Sequence, residues 1–423
     1  MPSATRTLSF RLYPAPCQEA ALWRKLCFLK DLWNAALEER IGAWRHGVRI
    51  GLADQEKLLK EVRSDIPGWK GLVHTHEAQS VLKRLDLAFQ GFFRRVRAGQ
   101  KPGFPRFRSA QGFRGWSYKE HGNGFRVVMR PGWRHGHVTL SGVGRMRIRG
   151  CARTPGRILK ADVLRDSFGW KLSVVIDTDC AERAQADEAQ AAGLDWGVAD
   201  FATLAFEDGT FEKVPNPRLL ADETEALREE QRRLSALACA RKISKRAHGK
   251  AKRDLARRHA KVAARRKDFL HKATCALVRR CRLIATETLS VRNMTATARG
   301  TVEEPGTNVA QKAGLNRSIL DTAPAAFLNM LRYKAEEAGM EFLEAETRRL
   351  KPSQRCPDCG AVHKKPLSLR QHDCTCGCHL GRDEASALVL LRWGLKESAN
   401  KALPDASDSQ PAGTVGAQVA NAA

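Results

Sequence analysis

The chain has 423 residues, and its 73 Lys and Arg against 46 Asp and Glu leave a formal net charge of +27. This length accommodates two or three domains, and the basic excess predicts a polyanionic partner. No apolar run is long enough to cross a bilayer, and the N-terminus lacks the apolar core of a signal peptide. We therefore expect an intracellular, cytoplasmic protein that faces nucleic acid. A ribosomal or chromatin-type basic protein is the simpler alternative.

The first part of the chain predicts one strand followed by three helices. Over residues 5–12 apolar side chains alternate with polar ones, which is the period of a strand. Between Leu22 and Trp44 apolar residues recur at spacings of three and four, which predicts a helix with one apolar face. Two more helices are expected, over 52–63 and 76–98. Together they predict a helical domain whose basic side is equally consistent with an ordinary solvated helix face.

Cations and aromatic rings are interleaved after the last of these helices, in the segment Lys101-Pro-Gly-Phe-Pro-Arg-Phe-Arg108. Aromatic side chains stack on bases and arginines pair with phosphates, so the segment is typical of a nucleic-acid contact. It is also typical of a linker whose phenylalanines fill a core. On the first interpretation the candidate nucleic-acid contacts are Arg94, Arg95, Phe104, Arg106 and Arg108.

The segment from about 112 to 178 carries strand signals. Short runs of alternating residues are separated by Gly-rich turns, and the last two runs flank the turn Asp166-Ser-Phe-Gly169. The expected strands are 125–129, 137–140, 145–148, 157–165 and 170–176. With the strand at 5–12 they predict a small β-barrel that the helical domain splits in sequence. Residues 181–191 predict a linker.

The second half of the chain predicts an α/β sheet. Residues 192–195, 201–206 and 210–214 predict three antiparallel strands in a meander, which is how RNase H-like folds begin. The remaining expected elements are a basic helical hairpin over 217–282 broken near Ala247–Gly249, a strand over 282–286, a mobile stretch over 300–317, a helix over 318–338, a strand over 341–346 and a helix over 384–393. The tail from 398 to 423 has the composition of a disordered segment.

Three carboxylates stand at the ends or starts of these elements. Asp195 and Glu287 follow apolar strands, and Asp383 opens the last helix. If the strands are neighbours, the acids converge at one sheet edge and offer the oxygen ligands that Mg²⁺ or Mn²⁺ prefers. Two such ions about 4 Å apart support phosphodiester cleavage. Taken singly, each acid is an ordinary turn, surface or helix-start residue, and Asp200 and Glu384 are close enough in sequence to compete as ligands.

Five of the 12 cysteines crowd into residues 356–378. In a reducing compartment such a cluster indicates metal binding and not disulfides. Cys356-x-x-Cys359 and Cys374-x-Cys376 supply four thiolates for a closed, structural Zn²⁺ site that takes no part in the chemistry. The second pair has competitors nearby, namely Cys378, His372 and His379. Redox-active or free thiols are the non-metal alternative.

At these residues the sequence resembles the TnpB family of transposon-encoded, RNA-guided DNA endonucleases, which are related to compact type V CRISPR effectors. The resemblance covers about residues 5–397. It is carried by Gly193-Leu-Asp-Trp-Gly197, Glu287-Thr-Leu289 with Asn293-Met294, Ser353-Gln354 with Cys356-x-x-Cys359-Gly360, Gly381-Arg-Asp383, Gly103–Arg108 and Leu320–Gly339. The chain departs from the family pattern in the C-x-C pair, in Gly381 where an Asp is common, and in lacking Asn-Ala-Ala after Asp383.

The resemblance implies an α/β multidomain fold: an RNase H-like RuvC nuclease domain with a zinc-binding insert, a split β-barrel wedge domain and a helical recognition domain. By motif match Asp195, Glu287 and Asp383 are its three metal-binding catalytic acids. The expected bounds are wedge 1–14 and 112–180, recognition domain 15–111, linker 181–191, RuvC 192–350 with the basic helical stretch 217–282, zinc-binding insert 351–379, RuvC closing helix 380–397 and tail 398–423.

The resemblance also implies a prokaryotic, nucleoid-associated protein that binds a guide RNA and cuts double-stranded DNA next to a short flanking motif. Mg²⁺ or Mn²⁺ and Zn²⁺ are the implied cofactors. Two other functions fit parts of the pattern. One is a nuclease-inactive, RNA-guided DNA-binding repressor, and the other is an RNase H-fold transposase that acts without a guide. Intact acids argue against the first, and the split wedge and zinc insert argue against the second.

Overall fold

The computed structural model of the protein describes residues 3–152, 155–179, 189–239, 244–366 and 369–402. The chain divides into two compact units, Met1–Cys180 and Ala181–Ala423, called unit 1 and unit 2 below. None of the helices within the described ranges is long and apolar enough to cross a membrane.

Unit 1 consists of a seven-stranded antiparallel sheet and four helices. The strands are β1 (Ser3–Tyr13), β2 (Gly115–Tyr118), β3 (Phe125–Met129), β4 (Arg134–Leu140), β5 (Gly144–Cys151), β6 (Arg157–Asp166) and β7 (Gly169–Asp179). The helices are α1 (Pro16–Arg45), α2 (Leu52–Asp65), α3 (Trp69–Leu72) and α4 (Thr75–Arg97). The strand order is β2-β6-β7-β1-β5-β4-β3. All of the expected strands and helices of this unit are present, and β2 and α3 are additional.

Strand β1 is the centre of this sheet although the helices separate it in sequence from its partners. It pairs with β7 from Ser3 to Arg11 and with β5 from Arg11 to Tyr13. Its alternation places Phe10 and Leu12 in the core. The split of the sheet by the helical segment is therefore as expected. The barrel is not closed by strand pairing in the part of unit 1 that the structure describes, because the ladder ends at β2 on one side and β3 on the other.

The helices and the sheet of unit 1 share one hydrophobic core. Leu26 and Leu29 of α1 and Val81 of α4 lie in the same buried cluster as Trp116 of β2 and Ile148 of β5. The sequence interpretation placed the helices and strands in separate domains, 15–111 and 112–180. In the structure the apolar faces of α1 and α4 are buried against the sheet, so the two predicted domains share one core.

Unit 2 is built on a five-stranded sheet in the order β10-β9-β8-β11-β12. Strands β10, β9 and β8 are antiparallel, whereas β8, β11 and β12 run parallel. The strands of unit 2 are β8 (Gln190–Trp196), β9 (Asp200–Phe206), β10 (Phe211–Pro215), β11 (Cys281–Glu287) and β12 (Glu341–Ala345), with a separate small hairpin of β13 (Gln371–Asp373) and β14 (His379–Gly381). The helices are α5 (Thr224–Cys239), α6 (Lys245–Arg280), α7 (Val291–Met294), α8 (Val309–Thr322), α9 (Pro324–Glu337), α10 (Thr347–Leu350) and α11 (Arg382–Ala402).

Several expected helix boundaries in unit 2 need correction. Helix α6 begins at Lys245, so Ala247–Gly249 lies inside the helix and the hairpin breaks before it. The single helix expected over 318–338 is two helices, because Pro324 starts a new helix and Ala323 before it has φ of 49°. Residues 309–317, expected to be mobile, form the first part of α8.

Helix α11 packs across the sheet and extends further than expected. It ends at Ala402, so residues 398–402, assigned from sequence to the disordered tail, are helical. Residues 403–423 lie outside the described part, as does most of the predicted linker 181–191, whose last two residues belong to the start of the sheet. A Cβ on Gly193 would lie 2.0 Å from the Ala387 carbonyl oxygen. Glycine at this position therefore lets α11 approach β8 closely.

Candidate active site and cysteine site

Asp195 and Glu287 lie at the carboxyl ends of their strands, at the same edge of the unit 2 sheet. Leu194 of β8 is the register partner of Thr286 of β11, so the acids occupy the next position on two adjacent parallel strands. The Thr286 hydroxyl donates to the Leu194 carbonyl oxygen at 3.0 Å and is fully buried, which fixes the two strand ends relative to each other. The apolar residues before each acid are buried, and each acid is itself only partly accessible.

The third acid, Asp383, lies in the first turn of α11. One turn further along this helix, the Ser386 hydroxyl donates to Oδ1 of Asp195 at 2.9 Å. This contact places the start of α11 beside the end of β8. The structure thus brings together the elements that carry all three predicted acids.

At this edge of the sheet, the ionised forms of Asp195 and Glu287 are disfavoured. Desolvation, followed by the nearby Glu287 and Asp383 carboxylates, raises the pKa of Asp195 well above its usual value, against the Ser386 hydrogen bond and Arg382. Desolvation also raises the pKa of Glu287, although Thr347 opposes the shift. Carboxylates crowded in this way gain from a divalent cation, because the cation compensates their mutual repulsion.

The arrangement fits a hard cation that keeps part of its water shell. Among the described residues, the oxygens of the three acids do not form a set in which all lie within 4.8 Å of one another. Mg²⁺ is usually held by one or two carboxylates with several waters and substrate phosphates, and not by a complete protein cage. An ion held here by Asp195 and Glu287 would therefore need water or substrate oxygens to complete its shell.

The Glu384 carboxylate is bound by a lysine and by a backbone N–H group. The carboxylate pairs with Lys213 at 2.7 Å, and this hydrogen bond lowers the pKa of Glu384. It also accepts from the Gly381 backbone N–H at 3.1 Å, at the start of α11. The charges of Asp200 and Asp383 also contribute, after the Glu384 hydrogen bond, to raising the pKa of Lys213. Asp383 is the better candidate for the third ligand because its charge acts on Asp195 as well.

The cysteine site is compact enough for one Zn²⁺. The sulfur atoms of Cys356, Cys359, Cys374 and Cys376 all lie within 4.8 Å of one another. The Cys356–Cys376 and Cys359–Cys374 sulfur pairs are 3.6 and 3.5 Å apart. A tetrahedron with Zn–S bonds of about 2.3 Å has sulfur atoms roughly 3.8 Å apart, so the four thiols fit this geometry.

Backbone turns prepare these cysteines for metal. Gly360 and Gly377 have φ of +75° and +92°, and their N–H groups donate to the Cys356 and Cys374 carbonyl oxygens. Although desolvation opposes it, the backbone N–H groups of Cys359 and Asp358 lower the pKa of Cys356 to about 6. For Cys356 the thiolate, which is the form that binds metal, is thereby favoured, whereas the pKa values of Cys359 and Cys376 are raised.

The competing ligands have contacts with other protein groups. Cys378 and His372 form a second close set with Cys356, but the Cys378 thiol bonds to Asp358 and Lys365 contacts Nδ1 of His372. His379 pairs with Asp373 at 2.7 Å. Nε2 of His372 is buried without a hydrogen-bond partner, so this second set stays a competitor. The set with Cys374 and Cys376 offers four ligands where the other offers three, and it remains the candidate zinc site.

Helix α11 also holds the cysteine segment. Arg392 contacts Asp358 at 2.9 Å and donates to the Pro357 carbonyl oxygen. Arg382 donates to the Pro366 carbonyl oxygen at 2.8 Å. The helix that carries Asp383 is therefore in direct contact with the cysteine segment.

Comparison with known proteins finds two relatives that match over most of this chain. A protein from Streptomyces pristinaespiralis named as an RNA-guided DNA endonuclease is 30% identical over 413 residues, covering 94% of this chain and 92% of the relative. The Escherichia coli K12 protein named as RNA-guided DNA endonuclease InsQ is 31% identical over 374 residues, covering 85% of this chain and 84% of the relative. A family model described as a probable transposase, OrfB_IS605, matches residues 172–298, and a Cas12f1-like TNB domain model matches residues 325–390.

The chain belongs to the TnpB family. TnpB proteins are nucleases, and this protein is an enzyme of that kind. The fold agrees: a cryo-EM structure of Cas12f1 with sgRNA and target DNA superimposes with a TM-score of 0.58 at 11% identity, covering 92% of this chain and 98% of that chain. At so low an identity the likeness concerns the fold alone. It is an α/β fold like that of the compact Cas12f effectors.

Three of the five candidate nucleic-acid contacts of this TnpB protein have structural partners. Arg95 donates to the Gly103 carbonyl oxygen at 3.1 Å, and the Arg108 guanidinium lies over the Trp33 ring at 5.5 Å. Phe104 packs edge-on against two phenylalanines of α4, with ring centroids 5.6 and 5.2 Å apart. These contacts hold the segment 101–108 against α1 and α4, but Phe104 stays 47% exposed, so the segment does not fill the core.

Arg94 and Arg106 remain exposed and available to a ligand. Beside them lie two exposed rings that sequence reasoning did not name as contacts, Phe93 and Phe107, with 44% and 57% of their surface accessible. The sequence pattern indicates Phe107 as a contact, because this residue lies between Arg106 and Arg108.

A second basic surface was also missed. On β5 Arg145, Arg147 and Arg149 are exposed while the residues between them are buried. Arg149 lies directly opposite Arg11 of β1, and its guanidinium sits 4.9 Å from the centre of the exposed Tyr13 ring. The Arg11 guanidinium pairs with Asp166 at 2.8 Å, whereas the three arginines of β5 are exposed to solvent. These three residues are called the arginine strand below. The Arg-x-Arg-x-Arg alternation within a predicted strand was the available signal.

Proposed function

We propose that this TnpB protein is an RNA-guided DNA endonuclease whose catalytic acids are Asp195, Glu287 and Asp383. The observation that carries the proposal is the placement of Asp195 and Glu287 on adjacent parallel strand ends, with the first turn of α11 tied to Asp195. The raised pKa of Asp195, caused by burial and by the two other acids, supports a shared cation site.

Contacts between β8, β11 and α11 hold the three acids in place. The Thr286–Leu194 hydrogen bond fixes the two strand ends, and the close contact of Gly193 with α11 sets the position of Asp383. Divalent ions bound there would supply an activated water and stabilise the leaving oxygen of a phosphodiester. On this proposal unit 2 is a RuvC domain, and its cysteine segment is a zinc-binding insert with a structural ion.

Guide pairing would choose the target, while the protein reads the backbone shape of the heteroduplex and a short flanking motif. The full-length similarity to proteins named as RNA-guided DNA endonucleases supports this part of the proposal. Arg94, Arg106 and the arginine strand are the surfaces that we assign to phosphate contact. The first two lie in the proposed recognition segment, and the arginine strand lies in the proposed wedge.

The decisive variant is Asp195→Ala in the complex of protein and guide RNA. We expect cleavage of a matched target to be lost while RNA and target binding, measured by gel shift, stay at wild-type levels. Asp200→Ala is the matched control, since this acid lies at the start of the neighbouring strand β9 and should be dispensable for cutting. Loss of binding in Asp195→Ala, or loss of cutting in both variants, would contradict the assigned roles.

A guide-independent transposase is the second candidate, and the description of the family model that matches residues 172–298 favours it. It uses the same three acids but joins DNA ends in place of hydrolysing a guided target. Strand transfer by the purified protein without any RNA would establish this candidate. Absence of transfer together with RNA-dependent cutting would exclude it.

A further inference from the structure

Ser386 is a buried residue to which no catalytic or structural role has been assigned. It is 1% exposed, lies on the face of α11 that meets the sheet, and donates its hydroxyl to Oδ1 of Asp195 at 2.9 Å. The two residues are 191 positions apart in sequence. Ser386 stands in the stretch after Asp383 where this chain departs from the Asn-Ala-Ala pattern.

A buried helical hydroxyl ordinarily bonds to a carbonyl of the preceding turn. Thr274 of α6 shows this ordinary behaviour, since its hydroxyl donates to the Leu270 carbonyl oxygen at 2.6 Å. Ser386 instead donates to a carboxylate on another element. Its hydrogen bond therefore acts on the acid and not on its own helix.

Backbone packing sets the geometry of this contact. The backbone of α11 next to Ser386 lies so close to β8 that a Cβ on Gly193 would meet the Ala387 carbonyl oxygen at 2.0 Å and the Leu391 nitrogen at 2.4 Å. The helix cannot slide along the strand without breaking this contact. Ser386 is accordingly held at a fixed distance from Asp195.

We infer that Ser386 is a positioning residue that orients the Asp195 carboxylate for cation binding. Its hydrogen bond to Oδ1 restrains rotation of the carboxylate, so the acid is already oriented when a divalent ion binds. The inference rests on the proposed function, because it requires Asp195 to be a metal ligand.

The test compares Ser386→Ala with the wild-type complex of protein and guide RNA. Two quantities are measured: the Mg²⁺ concentration for half-maximal cleavage, and the Mn²⁺ bound at the site, taken by electron paramagnetic resonance as the difference from the Asp195→Ala complex on the same RNA. We expect the half-maximal Mg²⁺ concentration to rise about tenfold, with a matching loss of Mn²⁺ affinity, as is typical when a residue that orients a ligand is removed. RNA and target binding should not change.

Two further variants separate positioning from packing. Ser386→Cys keeps the size of the side chain but donates weakly, so it should shift the metal dependence in the same direction as Ser386→Ala. Ser398→Ala removes a hydroxyl of the same helix that donates to Glu341, a residue outside the site, and should leave the metal dependence unchanged.

Wild-type metal dependence in Ser386→Ala, or equal shifts in Ser386→Ala and Ser398→Ala, would overturn the inference. A Ser386→Cys variant with wild-type metal dependence and an unchanged melting temperature would also overturn the inference. Failure of the proposed function gives a different result, because the wild-type complex itself would then show no metal-dependent cleavage and no Mn²⁺ signal above that of Asp195→Ala.

Discussion

At the residue scale, the sequence points to the candidate acids but not to the groups that contact them. Asp195 and Glu287 could be picked out because each follows an apolar strand. Ser386 could not, because its contact with Asp195 joins residues 191 positions apart. Arg95 and Arg108 were named as ligand contacts on composition, and only the structure shows that they hold a loop.

The raised pKa of Asp195 and of Glu287 leads to a prediction about pH. In metal-free protein the folded state keeps these protons at a pH where the unfolded chain, with acid pKa values of about 4, has released them. The contribution of these two acids to the free energy of unfolding is therefore largest below about pH 4. It is lost as the pH rises through their raised pKa values in the folded state. The melting temperature in EDTA should fall over this window more steeply in wild type than in Asp195→Asn.

Added Mg²⁺ should reverse this loss, and more strongly at higher pH, because the cation binds the ionised acids. Differential scanning fluorimetry over a pH series with EDTA or Mg²⁺ measures both effects. Parallel pH curves for wild type and Asp195→Asn would show that Asp195 is not an acid of raised pKa.

At the element scale, the contact between α11 and β8 determines whether the acids meet. Gly193 was noted in sequence as part of a motif, but its role is visible only in the packing. The added methyl of Gly193→Ala would overlap backbone atoms of α11 at 2.0 and 2.4 Å. We expect a loss of about 1–3 kcal/mol in the free energy of unfolding, together with loss of DNA cleavage.

The control for this variant is Gly249→Ala, in which the added methyl lies in α6 no closer than 3.6 Å to the Arg253 side chain. It should stabilise the protein by up to about 1 kcal/mol, since alanine favours the helix. Chemical denaturation compares the two. Equal effects of both substitutions would mean that the α11–β8 contact is not tightly packed.

The cysteine segment gives a second prediction at this scale. Cys356→Ser should release zinc and lower the melting temperature, because Cys356 is 1% exposed and belongs to the four-thiol set. Cys378→Ser should keep its zinc, because its thiol contacts Asp358 and lies outside that set. Metal content by mass spectrometry of the purified proteins distinguishes them. An unchanged zinc content in Cys356→Ser would contradict the assignment.

Helix and strand periods were predictable, and the breaks between helices were less so. Pro324 divides α8 from α9, and its effect on the preceding residue could have been anticipated. The extension of α11 to Ala402 could not, because the tail composition masks it. Ser398 there bonds to Glu341 of β12, a tertiary contact that favours the helix.

At the scale of the whole molecule, sequence order predicted the split sheet but not its final form. Strand β1 pairs with β7 in the register Arg11 to Lys171, across the helices that follow β1. The alternating pattern predicts that β1 joins a sheet, but not that the strand ladder of the described residues ends at β2 and β3. A shared core of helices and sheet is likewise a property of packing, and no local pattern shows it.

The net charge of +27 is also a property of the whole chain, and it agrees with a nucleic-acid partner without naming one. The most direct test is to express the chain with its native flanking DNA, sequence the RNA that co-purifies, and rewrite the variable end of that RNA. We predict one discrete RNA with a structured part, and cleavage that moves to the DNA site matching the rewritten end. Cleavage that stays at the original site, or that proceeds without RNA, would contradict the account.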